Sequence, residues 1–133
     1  MTTRQLTLLA LPDVFAVCRL DPDAPVPPWA FDAGFSSITR TAEELSIVCP
    51  EDRVPEGVDC EKNWRCLRVA GSIEFSVIGV LASLVSPLAK QGISVFAIST
   101  FDTDYLLVKD TDLSKARSAL RQAGHDMEAV YET

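Results

Sequence analysis

The hydrophobic positions of this chain fall into short runs divided by turn residues, and only two stretches repeat at helical spacing. The first run holds Leu6, Leu8, Leu9, Ala10 and Leu11 and meets Pro12 and Asp13. A second run, from Val14 to Cys18 and on to Leu20, follows at once. Two apolar runs divided by a turn pair predict a hairpin. The second run is apolar on both faces through Val17, which predicts a central strand.

Residues 21–28 hold Pro22, Pro25, Pro27 and Pro28. Proline lacks a backbone N–H and clashes with a helix interior, so this segment is an extended connector, with residues 28–31 as a single helical turn. Trp29 and Phe31 plug the edge of the core in one reading and form an aromatic ligand platform in the other. Residues 35–41 and 44–49 predict a second hairpin, turning at Thr41, Ala42 and Glu43 and ended by Pro50. Residues 51–63 are polar and acidic and hold Pro55 and Gly57, which predicts a loop with at most one turn of helix.

Residues 64–70 alternate imperfectly, as a half-buried strand does, and Gly71 and Ser72 stop it. Ser76 suits a helix N-cap. Val77, Leu81, Leu84, Val85 and Leu88 then recur at helical spacing, with Pro87 kinking the last turn and Gly92 in the left-handed position after it. Residues 93–99 are apolar on both faces, which predicts a covered strand. Residues 100–103 turn the chain and residues 104–109 return antiparallel. Thr111 or Asp112 caps a second helix with Leu113, Ala116, Leu120 and Ala123 on one face and Lys115, Arg117, Arg121 and Gln122 on the other. Gly124 ends it, and residues 127–131 form a last strand.

The second half is therefore strand, helix, strand, strand, helix, strand. That is the α+β, ferredoxin-like split order (βαββαβ), an antiparallel four-stranded sheet with both helices on one face. The first half repeats it in degenerate form, with the proline connector and the acidic loop where helices would stand. The predicted organisation is two tandem pseudo-repeats that need each other's surface, divided as 1–63 and 64–133.

Composition narrows the function. With 133 residues the chain makes one ordinary domain or two very small ones, and its balance of 47% hydrophobic and 23% charged residues is that of a globular protein. The net charge of −7 repels phosphate backbones and anionic membranes, so neither nucleic acid nor a membrane is expected as a partner. Residues 6–20 do not make a signal peptide: Arg4 gives one positive charge, Pro12 and Asp13 interrupt the run, and no small-x-small site follows. No run approaches the ~18 apolar residues that span a bilayer. A cytoplasmic location is expected.

Cys18, Cys49, Cys60 and Cys66 show no C-x-x-C spacing, and His125 is the one histidine. Structural thiols are the expectation, with no metal and no cofactor. No Gly-x-Ser-x-Gly occurs, and Gly71 and Gly79 stand too far apart for a dinucleotide fingerprint. His125 follows a helix end, where capping carbonyls is its ordinary role. A cysteine paired with His125 stays open as a nucleophile, but nothing flags it. The expectation is a protein that is not an enzyme.

The phrases at residues 71–84 and 92–108, most specifically 93–96 through 103–105, resemble the ACT domain. More narrowly, with residues 15–25, 37–41 and 47–50, they resemble the small bacterial ACT proteins related to the CASTOR-type arginine sensor. The resemblance covers nearly the whole chain. It implies an ACT fold that pairs with a second copy as a homodimer and binds an amino acid or another small molecule at such an interface. The implied binding elements are the strand-to-helix turn, with Gly71, Ser72, Glu74, Phe75, Ser76 and Val77, and the start of the next strand, with Ser94, Val95 and Phe96. Asp102 and Asp104 close one side. Many regulatory ACT domains carry an Asp-x-Pro-Gly arrangement in that turn; here Gly71 and Glu74 supply the parts in a different order.

Chemically, unpaired N–H groups at a helix start suit a carboxylate, Glu74 suits an ammonium group, and Asp102 or Asp104 suits a cationic side chain. The plainer reading stands beside it: Ser76 caps, Glu74 is solvated, and Asp102 and Asp104 are hairpin-turn residues. The functional expectation is a small-molecule sensor, with a ligand-free interaction or assembly module as the alternative.

Overall fold

The structure, a computed structural model, describes residues 5–31, 34–70 and 79–129. Contacts divide the chain into a unit of residues 13–64 and a unit of residues 1–12 with 65–133. The sequence division at 63/64 left the first twelve residues with the N-terminal repeat, whereas here they pack in the C-terminal unit.

In the smaller unit, the later part of β1 (Thr7–Leu20) leads through a 3₁₀ turn, Pro28–Phe31, to β2 (Ser37–Arg40) and β3 (Leu45–Pro50). A second 3₁₀ turn, Glu51–Arg53, leads to β4 (Asp59–Val69). The strand order is β2-β3-β1-β4, the split order with single turns where the helices would stand. β1 and β3 pair antiparallel, Phe15 with Pro50 and Leu20 with Leu45. Alternate residues Ala16 and Cys18, and Leu45, Ile47 and Cys49, meet in one buried cluster with Ala30. The Arg40 guanidinium donates to the carbonyls of Pro22 and Ala24 and so ties down the proline connector. Phe15 is buried and meets Phe35 edge to face with ring centroids 5.6 Å apart. Trp29 packs on the cluster, but Phe31 is 63% exposed and plugs nothing. β4 starts at Asp59, earlier than the acidic loop had predicted.

The larger unit runs through the later part of β4, α1 (Val80–Lys90), β5 (Phe96–Ser99), β6 (Asp104–Lys109), α2 (Leu113–Gln122) and β7 (Asp126–Ala129). This is the predicted βαββαβ order. One strand is added. The first part of β1 lies between β4 and β7, parallel to β7, so the order is β7-β1-β4-β6-β5. The cause is period two: Leu6, Leu8 and Ala10 alternate into the same core as Leu67, Val69, Leu106 and Val108. α1 adds Val80, Leu84 and Leu88 to that core, and α2 adds Ala116, Ala119 and Leu120. α1 ends as predicted. Gly92 takes φ 72° and Ile93, buried, donates its N–H to Leu88 O at 3.1 Å.

Two predicted features differ. Pro12 and Asp13 are no turn: β1 runs through them, and both are exposed where a missing donor costs little. β5 is an edge strand with Ala97 exposed, not a covered one. The predicted cap at Ser76 and helix start at Val77 lie outside the described residues; the described helix begins after Gly79, at φ 81°. No helix among the described residues is long and apolar enough to cross a membrane.

Candidate functional site

The end of β4 is held by a residue the sequence reading passed over. Thr103, 6% exposed, donates its hydroxyl to the Val69 carbonyl at 2.9 Å. The turn carrying Thr103 is itself closed by a threonine. Thr100 donates its N–H and its hydroxyl to Thr103 O, at 2.9 and 3.0 Å, and its hydroxyl oxygen accepts the Thr103 N–H at 3.3 Å. The pattern Thr-x-x-Thr between two strands was the available signal, since hydroxyls fold back on nearby backbone in such turns. Its effect is to fix the β5–β6 turn beside the point where β4 ends.

Asp102 and Asp104 flank Thr103 and therefore belong to this end of the sheet. Asp102 is exposed; Asp104 is half-buried and paired with Ser99. Ser94, Val95 and Phe96 do not join them. Phe96 pairs with Leu107, about 10 Å along the strand from the level of Asp104 at about 3.3 Å per residue, and Ser94 lies further still. Ser94 is exposed, and Val95 and Phe96 are half-buried. Gly71, Ser72, Glu74, Phe75, Ser76 and Val77 lie outside the described residues. α1 follows them, and its N-cap Gly79 supplies no side chain to its first-turn N–H groups.

Three of the groups that could do chemistry, His125, Cys18 and Cys66, are tied into the core, while the hydrogen bond with Cys18 lowers the Cys49 thiol. His125 is 3% exposed and caps α2 through its backbone, whose N–H donates to Leu120 O at 2.9 Å. Its side chain does not cap carbonyls, as the sequence had suggested. Instead Nδ1 accepts the Leu6 N–H at 3.1 Å and Nε2 is buried with no partner. The imidazole thus fastens the residue before β7 to the residue before β1. Burial pushes the Cys66 thiol up to about 12, and a hydrogen bond with Cys49, then burial, raises that of Cys18. Thiols held protonated are poor nucleophiles. Among the described residues no group of three or more His, Cys, Asp or Glu is placed to hold a metal.

Comparison with known proteins bears on the family and the fold. The ACT domain family matches residues 59–122, and a second family, described as an N-terminal domain, matches residues 13–57. A crystal structure of an Agrobacterium tumefaciens protein is 39% identical, with a TM-score of 0.93, over 98% of this chain and 97% of that one. The human protein CASTOR3P is 35% identical over 59% of this chain and 56% of its own length. The mouse cytosolic arginine sensor for mTORC1 subunit 1 is 31% identical over 66% of this chain and 30% of its own. This chain therefore spans between about a third and about half of the length of those curated relatives. The regulatory subunit of aspartate kinase from Thermus thermophilus, at 12% identity and a TM-score of 0.60, shares the fold over 84% of this chain and 93% of that one.

Proposed function

Because this chain belongs to the ACT-domain family, we propose that it is a non-catalytic, cytosolic regulatory protein that binds an amino acid where β4 leaves for α1. The carrying observation is the Thr103–Val69 hydrogen bond, which sets Asp102 and Asp104 beside that exit. The first-turn N–H groups of α1 suit the ligand's carboxylate, because Gly79 gives them no side-chain cap and they carry the positive end of the helix dipole. Gly71, Ser72, Glu74, Phe75, Ser76 and Val77 form the rest of the proposed lining, with Glu74 taking the ammonium group. Asp102 and Asp104 suit a cationic side chain, which puts arginine first among candidates, in line with the name of the mouse relative. Ser94, Val95 and Phe96 are too far along β5 to complete this site in one copy, so in the proposed homodimer a second copy supplies them. Binding then favours the assembly that buries the ligand.

A thermal-shift screen of the twenty amino acids at millimolar concentration tests the proposal. At least one, arginine first, raises the unfolding midpoint; no shift with any of them overturns it. The second reading is a ligand-free assembly module. Phe101, 81% exposed in the turn beside edge strand β5, favours it. In that case Asp104→Ala changes nothing, while Ala97→Pro on the edge strand breaks self-association.

A further inference from the structure

At the other end of the same sheet, away from Val69 and Thr103, lies a cavity of about 230 Å³. Its polar lining is Arg65 on β4, Ser114 and Arg117 on α2, and Glu128 on β7; Ala10 and Met127 give it apolar walls. Arg65 is held in place from two sides. Nη1 donates to Asp110 Oδ1 at 3.2 Å and Nη2 to Leu11 O at 3.1 Å. Its Nε–H is buried with no acceptor. That N–H is sealed from the cavity; the second N–H of Nη1 and of Nη2 remains to donate on a side chain that is 20% exposed, and the group that accepts from a guanidinium in a cavity wall is an anion or a carbonyl. Arg117 adds a second positive charge, and α2 starts at this cavity with no side-chain cap from Asp112, so its dipole adds to both.

The opposing charge limits the ligand. Glu128 lines the same space, and Asp110 already partners Arg65. A dianion would meet the Glu128 carboxylate and find Arg65 already partly neutralised by Asp110. A molecule with a carboxylate at one end and an ammonium group at the other would meet an arginine and a glutamate. The volume is below the ~300 Å³ at which drug-sized sites begin, which excludes a nucleotide. We propose that this cavity is a second binding site, for a small zwitterion whose carboxylate sits on Arg65 and Arg117 and whose ammonium group sits on Glu128. It does not depend on the site proposed at the end of β4.

Met127 and Met1 are the two methionines of the chain, so a ¹³C-methyl methionine label places one reporter in the cavity wall. The probes are glycine, L-alanine and L-serine, with acetate as the anion lacking an ammonium group. The Met127 methyl resonance shifts saturably with at least one amino acid, and more weakly with acetate. Arg117 is exposed, so Arg117→Ala keeps the fold and weakens the amino-acid response by about tenfold or more, the loss of one charge-assisted hydrogen bond. Glu128→Gln removes the preference over acetate. A Met127 resonance that ignores every probe, that responds equally in Arg117→Ala, or that responds as strongly to acetate overturns the proposal. Shifts confined to the Ala70, Thr103 and Asp104 amides overturn this cavity as a site and leave the site at the end of β4 standing; a Met127 response without those shifts does the reverse.

Discussion

The hydroxyl of Thr103 donates to the carbonyl oxygen of Val69 at 2.9 Å, in a buried setting, across 34 positions of sequence. It is a tertiary pin between the β5–β6 turn and the last residue of β4. Thr103→Val keeps the shape and removes the donor, leaving a buried carbonyl without this partner. Such a loss costs about 1–3 kcal/mol. Urea unfolding measures that cost. If the turn forms part of a ligand site, calorimetry shows weaker amino-acid binding in the same variant. Unchanged stability would mean that the pin does not hold this end of the sheet.

A second fastener joins residues 119 apart. Leu6 N–H donates to His125 Nδ1 at 3.1 Å, just before β1 pairs Thr7 with Asp126 of β7. His125→Leu fills the space with apolar atoms and strands the Leu6 N–H. The expected loss is about 1–3 kcal/mol. Amide hydrogen exchange should quicken first at Leu6, Leu8 and Met127, because the added strand loses its anchor at that end. Exchange quickened uniformly across the unit would contradict a local role.

Cys66 gives a pH signature. Burial raises its thiol from the usual 9.0 to about 12. Between those values the unfolded chain has released the proton and the folded chain still holds it. The folded state binds more protons there, so stability is untouched by this group below pH 9, falls as pH rises through the window, and stops falling above 12. The slope is up to about 1.4 kcal/mol per pH unit. Urea midpoints at about pH 8 and about pH 10.5 for the wild type and Cys66→Ala measure it. The difference between the two proteins shrinks at the higher pH. A constant difference would show that the thiol is not held protonated by burial.

Periodicity carried most of the larger unit. The spacing of Leu84 and Leu88 marked a helix, and both are fully buried in α1. Gly92 marked its end, and it takes the left-handed φ that a last turn needs. The added strand was not legible. Residues 6–11 look the same whether they pair within the N-terminal half or slot between β4 and β7, because alternation sets a face and not a partner. Pro12 misled for a related reason: it speaks against a ladder hydrogen bond at one position, and an exposed position in β1 does not need one. At the candidate site, Asp102 and Asp104 drew notice as charges while Thr103 between them did not. Its role is a contact to Val69, and only the fold brings the two together. The separation of Phe96 from Asp104 was hidden as well, since hairpin register fixes it and the family likeness does not.

The proposed function places an amino acid where β4 meets the Thr103 turn. Backbone amide chemical-shift mapping, with L-arginine first and the other amino acids after it, tests this most directly. Saturable shifts are expected at Ala70, Thr103 and Asp104 with at least one of them, lost in Asp104→Ala. No response at these amides to any amino acid at millimolar concentration would contradict it.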